Sequence, residues 1–392
     1  MDLHAICSSE TARHTAFPVT RECVFLGHAG VAPLPRAAAE AMGAFLERGS
    51  RHQQEGAWTE SRVAAARKHT AELIGADPGE IALLGPTSLG LSLVAAGLPW
   101  QPGDEVIYYQ DDYPANVYPW TALAKRGVKP VALEPGAPGV ITWDVVEAAL
   151  TDRTRLVALA TAHFLSGFRI DVDTIGRNLH ERGILFCLDA IQTLGAFPVD
   201  VSHVDFLSAD SHKWMLGPAG AGIVYVSRDK FDILEPALLG SWNVVSPHFI
   251  AQETIDYYEG ARRYEPGMLN LPGIVGMDAS LELLLSIGID AISERILSLR
   301  RGFVEAVRVL GYRRYIEERD RSPEASDAER SGIITVTHPE KDMREVARRL
   351  GTADIAVSLR YNRAGEAFLR FSPHFYNTEA ELDHVLDVLE RE

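Results

Sequence analysis

Cysteine is scarce in this sequence. Three residues (Cys7, Cys23 and Cys187) occur in 392, an odd number with no metal-binding spacing. A disulfide framework and a cysteine-held metal are therefore not expected, and a reducing, cytoplasmic setting is the default. No run approaches the roughly 18 consecutive apolar residues that a membrane span needs. The opening M-D-L-H-A-I-C-S-S-E-T-A-R-H lacks the basic and apolar regions of a signal peptide. Basic charge is also short, with 38 Lys and Arg against 54 Asp and Glu and a formal net charge of -16. That balance argues against nucleic acid or an anionic membrane as a general partner. No G-x-G-x-x-G joins a strand to a helix, because Gly217, Gly220 and Gly222 precede a strand, so a nicotinamide-binding reading fails. The spacing Gly85 to Gly90 half-fits a phosphate-binding Walker loop, but Leu91 stands where its lysine must be. What remains is an acidic globular chain, long enough for a large domain and a smaller one.

The stretch D-F-L-S-A-D-S-H-K-W-M-L-G-P-A-G-A-G-I-V-Y (Asp205 to Tyr225) organises the rest. Lys213 sits between a strand end and a Gly/Pro turn, with backbone holding it on both sides. Such a lysine is either a surface residue before a hairpin or a Schiff-base lysine whose amine must be placed and easily deprotonated. Upstream, I-L-F-C-L-D-A-I-Q is a buried-strand run ending in Asp189. A carboxylate at the C-terminal end of a central strand lies where open α/β sheets bind ligands. Pyridoxal phosphate needs a lysine for its imine and an acid for its pyridine nitrogen, and Lys213 with Asp189 could supply both.

These paired motifs resemble the class V aminotransferase group of fold-type I pyridoxal-phosphate enzymes, from about Phe25 to the C-terminus. That group includes cysteine desulfurases, isopenicillin N epimerase-like proteins, cysteine-conjugate lyases and kynureninase. The resemblance implies a homodimer with its active site near the interface and a small amino-acid substrate. It puts Gln192 on the ring hydroxyl of the cofactor and Thr87, Ser88 and His212 on its phosphate. On the residues alone, Thr87 or Ser88 either caps a helix running to about Ala96 or offers hydroxyls beside free amides to a phosphate. Tyr113 stands where the family has a histidine stacked on the pyridine ring; a phenol can stack as well, and an exposed loop tyrosine is the alternative. The resemblance also brings His28, Ala29 and Gly30 near the substrate, although a tight turn at Gly30 accounts equally for His28. In L-R-F-S-P-H-F-Y-N-T, Arg370 matches the residue that clamps the substrate α-carboxylate.

The chain departs from the family in several places. His163 and Phe164 replace the serine and asparagine of desulfurases, making His163 either a substrate contact and second acid–base group or a loop histidine. Arg169 could meet a substrate carboxylate, with pairing to Asp171 or Asp173 the favoured outcome. Asp210 replaces a phosphate-binding serine, and a carboxylate there would repel the phosphate. Met268 replaces a threonine that reaches the neighbouring subunit. V-S-L-R-Y-N-R-A-G-E lies where desulfurases carry a nucleophilic cysteine, and no cysteine follows Cys187.

Strands at 105–109, 130–134, 156–160 and 184–188 alternate with helices at 142–150 and 174–182. This rhythm means an α/β fold with a mostly parallel sheet flanked by helices. Residues 1–22 are expected to be a loosely structured lead-in, 23–272 the large cofactor domain, and 273–392 a smaller C-terminal α+β domain. A helix from 273 to about 309 leads into that domain, and 317–331 reads as an exposed loop. The expected chemistry is loss of the Cα proton of an amino acid to Lys213. β-Elimination from an S-substituted cysteine, as by a C–S lyase, is favoured. Aminotransferase, epimerase or oxidative decarboxylation chemistry, the last known in antibiotic-pathway relatives, is the alternative, and a non-catalytic cofactor-binding scaffold the least favoured.

Overall fold

A computed structural model of the chain describes residues 3–54, 60–316 and 327–391. In chain order the strands are β1 (Val24–Phe25), β2 (Ile81–Ala82), β3 (Glu105–Tyr108), β4 (Lys129–Ala132), β5 (Thr154–Ala160), β6 (Leu185–Asp189), β7 (Phe206–Asp210) and β8 (Gly222–Val226). The C-terminal part adds β9 (Arg313–Arg314), β10 (Ile334–Thr337), β11 (Ile355–Ala356), β12 (Ser358–Tyr361) and β13 (Ala367–Phe371). β2 to β8 form one seven-stranded sheet in the order β2-β8-β7-β6-β5-β3-β4. The pairs from β4 through β7 are parallel, and β8 runs antiparallel to both β7 and β2.

β6, β7 and β8 are buried at every position, which explains their almost unbroken apolar runs. Alternate side chains feed two cores. Val157, Leu159 and Phe186 meet the helices Arg36–Arg51, Glu60–Ile74, Val172–Glu181 and Leu271–Ile287 on one face. Leu156, Ala158 and Phe206 meet Leu91, Val94 and Trp120 on the other. Gly90 lets the helix Thr87–Gly97 lie directly on the sheet: a Cβ there would sit 2.3 Å from Oγ of Ser208 and 2.7 Å from a Val224 methyl. Any larger residue would lift this helix, and with it the N-terminus that faces the pocket.

The smaller sheet, in the order β12-β13-β10-β9, is antiparallel and shares a core with the helices Ile289–Val309, Met343–Thr352 and Glu379–Glu390. Several expectations change here. The lead-in is structured: helices Leu3–Ser8 and Glu10–Ala16 bury Ile6, Ala16 and Phe17 against Trp214, Ile296 and Phe375. The opening of the expected large domain belongs elsewhere, because β1 pairs in parallel with β11 and Gly27 bridges Ser372. The expected helix from 273 to 309 is two helices, parted at Gly288 (φ 93°). The first packs on the large sheet's core; the second packs Ile292 and Ile296 against Trp214 and Phe197, then Leu299, Phe303 and Val307 on the small sheet's core. The helix expected at 142–150 is only Trp143–Glu147. Of the stretch 317–331, residues 317–326 lie outside the described residues, and Ser331 beyond them is buried rather than exposed. No described helix is long and apolar enough to cross a membrane.

Candidate active site

The loops leaving β2, β3, β5, β6 and β7 open at the same edge of the large sheet, where β12 and β13 close over them. Between them lies a cavity of about 430 Å³ whose lining includes Thr87, Ser88, Tyr113, Asp189, Gln192, His212, Lys213, Arg360 and Arg370. The register explains the convergence. Asp189 pairs across to Ala160 and Ser208, and Lys213 follows three residues after β7 ends at Asp210. The turn after the lysine is tight. Leu216 adopts a left-handed conformation (φ 55°), and its carbonyl accepts from the Ser280 hydroxyl at 2.9 Å. Its buried side chain helps hold that strained backbone in place.

Lys213 is buried, and burial pushes its amine below the usual lysine range, with Arg370 and Arg360 adding to the fall. Its Nζ lies 5.3 Å from the centre of the Tyr113 ring. Tyr113 is 50% exposed, held edge-on to Phe164 at 5.7 Å, so one face of the phenol roofs the pocket. Asp189 is buried at the floor, where one carboxylate oxygen accepts from the amide of Ile191 at 3.1 Å. Burial raises its pKa, and the charge of Asp112 raises it further. Asp112 was not singled out from the sequence. It is buried, accepts from the amide of Tyr113 and the side chain of Asn116, and burial lifts it to about 6.

At the other end, the helix Thr87–Gly97 presents its first amides to the cavity, with Ser88 exposed at the mouth. The Thr87 hydroxyl accepts from the amide of Asp210 at 2.8 Å, which fixes its oxygen and leaves its own hydrogen to donate. His212 gives Nδ1 to Asp210 at 2.8 Å, leaving Nε2 for the pocket. Asp210 itself is buried and also accepts from the amide of Gly220, so it fixes the imidazole and does not line the cavity. Gln192 accepts from the Trp214 indole at 3.0 Å and donates to the Ala29 carbonyl at 3.2 Å, keeping one amide hydrogen free. Arg370 is buried with Nη1 donating to the carbonyl of Phe164 at 2.7 Å. Its Nε and Nη2 find no partner among the described residues. Burial pushes it down to about 9, so it remains a cation at neutral pH.

Three expected contacts are corrected. His28 is fully buried away from the cavity, donating from Nδ1 to the carbonyl of Ser372 (2.8 Å) and accepting from the Tyr376 hydroxyl (2.6 Å). Its neighbours Ala29 and Gly30 line the cavity instead. His163 is buried too, accepting from the amide of Ser166 and donating to the carbonyl of Asp111, with burial lowering it to about 4. It braces the loop carrying Tyr113 and has no nitrogen left for a substrate. Arg169 pairs with neither Asp171 nor Asp173; it donates to the carbonyl of Asp327 and lies over the Phe197 ring. Asp171 caps the helix Val172–Glu181, and Asp173 faces Arg177 and His203. Arg360 is a charged lining residue that sequence reasoning missed. Its signal was the alternation along β12, which puts Ser358 and Arg360 on one face.

The donor set suits pyridoxal phosphate. A buried acid with a raised pKa awaits a cation such as a protonated ring nitrogen, helix amides with His212 and Ser88 suit a phosphate, and a depressed amine suits an imine. The unpartnered face of Arg370 suits a carboxylate.

The model of the aminotransferase class-V family matches residues 24–385. A probable cysteine desulfurase of Methanothermobacter thermautotrophicus is 28% identical, with 95% of each chain covered. An uncharacterized aminotransferase of Bacillus subtilis, YcbU, is 27% identical over 84% of each. Among solved structures, the apo cysteine desulfurase of Thermococcus onnurineus superposes with a TM-score of 0.88 at 24% identity, covering 97% of each chain. The cystine C–S lyase C-DES, in complex with its product cysteine persulfide, gives 0.84 at 22% identity, covering 95% of this chain and 99% of that one.

Proposed function

The chain belongs to the aminotransferase class-V family, and from that membership we propose a pyridoxal-phosphate-dependent enzyme that eliminates the sulfur substituent of an S-substituted cysteine. One observation carries the choice among the family's reactions. The loop from 357 to 366, where desulfurases place a nucleophilic cysteine, has none, and all three cysteines of the chain lie outside the pocket lining. Sulfur therefore has to leave with its own electrons rather than by attack of a protein thiol. The aromatic roof of Tyr113 and Phe164 leaves apolar surface for a Cβ substituent.

The residues divide the work. Arg370 holds the α-carboxylate through its free Nε and Nη2, which sets the Cα–H bond toward Lys213. The bound cofactor supplies an electron sink for the pair left at Cα. Lys213, its amine easily deprotonated by burial, takes the Cα proton and can return it to the departing sulfur. Asp189 keeps the ring nitrogen protonated, and His212, Ser88 and the helix amides anchor the phosphate. The Cα–H and Cβ–S bonds break, and the carbon fragment hydrolyses to pyruvate and ammonia beside a thiol. A homodimer fits the same reading: the segment 238–268 exposes Leu239, Phe249, Ile250 and Met268, and a second cavity joins Met268 to Gly85 beside the phosphate end.

The test is product identity. Purified protein with cofactor is incubated with amino acids and cysteine conjugates, and mass spectrometry follows pyruvate, keto acid, D-amino acid and aldehyde. Pyruvate with a free thiol, lost in Lys213→Ala, supports elimination. A keto acid of the intact side chain, a D-amino acid or an aldehyde replaces it with transamination, epimerisation or oxidative decarboxylation.

A further inference from the structure

Two guanidiniums share this pocket, and with Arg370 on the α-carboxylate no anion is yet assigned to Arg360. Arg370 lies on β13 opposite Ser358 of β12, and Arg360 lies opposite Phe368. In an antiparallel pair this makes Arg360 and Arg370 diagonal neighbours on one face, roughly 7–8 Å apart at the backbone. Both line the cavity, and both depress the Lys213 amine by their charge. Arg360 donates one Nη1 hydrogen bond to the carbonyl of Leu359 at 3.0 Å, and no carboxylate among the described residues pairs with it. Its Nη2 sits where the missing side chain of Gly30 leaves room, 3.5 Å from the position a Cβ would take. Like charges placed together in a partly desolvated pocket repel, so an anion that enters beside Arg360 gains from both. The Asp189 carboxylate lines the same cavity and acts on Lys213, but its task is the ring nitrogen of the cofactor.

We propose that the substrate carries a second anionic group at the end of its Cβ substituent, and that Arg360 is the residue that selects it. The class is an S-substituted cysteine whose sulfur bears an arm ending in a carboxylate or sulfonate. The inference rests on the reading of this cavity as an amino-acid site with Arg370 on the α-carboxylate.

A charge-only comparison tests it. The holoenzyme is titrated with S-carboxymethylcysteine and with S-carbamoylmethylcysteine, which differ by a carboxylate against a carboxamide, and with alanine. The change in the cofactor's visible absorbance gives an apparent Kd for each. The wild type should bind the carboxylate ligand at least tenfold more tightly than the carboxamide, 1.4 kcal/mol or more. Arg360→Met should bring the two to equal affinity, and Arg360→Lys should keep part of the preference. Equal affinities in the wild type overturn the proposal. So does an Arg360→Met variant that loses the same factor for both ligands, which would place Arg360 on the α-carboxylate beside Arg370. A response to alanine with none to either cysteine derivative overturns this inference and spares the amino-acid reading. No response to any of the three overturns both.

Discussion

A carboxylate oxygen of Asp210 lies 2.8 Å from Nδ1 of His212, and the other oxygen accepts from the amide of Gly220. The acid takes the hydrogen of Nδ1 and thus fixes the ring with Nε2 turned to the pocket, as an outer partner orients a ligating histidine. A carboxylate so near a phosphate site looks repulsive in sequence, yet it is buried behind the imidazole. Asp210→Asn should weaken cofactor binding by roughly tenfold, by analogy with the loss of such outer partners in metal sites. Titrating cofactor-free protein with pyridoxal phosphate reads this directly, and unchanged affinity would remove Asp210 from the phosphate's surroundings.

Arg370 makes a prediction with two opposite signs. Its Nε and Nη2 are buried without partners, so the empty site bears an uncompensated cost that a substrate carboxylate relieves. Arg370→Met should lower kcat/KM by roughly 10- to 100-fold, in line with losing about 1.5–3 kcal/mol of charged hydrogen bonding. The same change should raise the Tm of the substrate-free protein. Arg370→Lys should not restore activity, because an ammonium cannot form the paired hydrogen bonds. A variant that loses both activity and Tm would assign Arg370 to the framework.

How much of this was legible in the sequence depended on where each residue's partners lie. Lys213 and Asp189 were readable because strand ends and a glycine turn fix their direction locally. Arg370 was readable within a long motif. His28 and His163 were not, since a histidine's role is set by what it bonds. The bonds of His28 go to Ser372 and Tyr376, more than 340 residues away. Arg360 was hidden because its strand could have presented either face. The lead-in was misjudged for a related reason: its apolar residues are few, and their partners, Trp214 and Phe375, come from distant parts of the chain. The break at Gly288 was foreseeable from the glycine, but the helical pattern on either side masked it.

The buried histidines predict the acid limb of stability. Burial lowers His163 and His374 to about 4 and His28 well below 6.5. Each binds a proton less readily in the folded chain than in the unfolded one. Their contribution is therefore complete above pH 6.5 and is lost as pH falls from there toward 4. Asp112, raised to about 6 by burial, works in the opposite direction over the same range. For His163 alone the loss at pH 5 is about 2 kcal/mol, from 1.36 kcal/mol per pKa unit. His163→Asn should thus show a flatter fall in urea-unfolding free energy between pH 7 and pH 5, by about that amount, whatever its stability at pH 7. An identical slope would mean that His163 titrates normally.

Tyr113 separates the role of a ring from the role of a hydroxyl. Its face lies over the Lys213 amine, which is where a bound cofactor ring would be covered, and stacking needs only the π face. Tyr113→Phe should leave cofactor affinity unchanged, whereas Tyr113→Ala should weaken it by about 1 kcal/mol, roughly fivefold. Elimination needs no proton from the phenol, because Lys213 both takes and returns it, so kcat of the Phe variant on a cysteine conjugate should stay within about threefold of wild type, well short of the 10²–10⁴ that a positioned acid–base group contributes. Epimerisation through Tyr113 would need that hydroxyl to serve the opposite face of Cα, and its removal would then cost the full factor. A drop of 10² or more in Tyr113→Phe, with cofactor affinity intact, would move the assignment from elimination toward two-base chemistry.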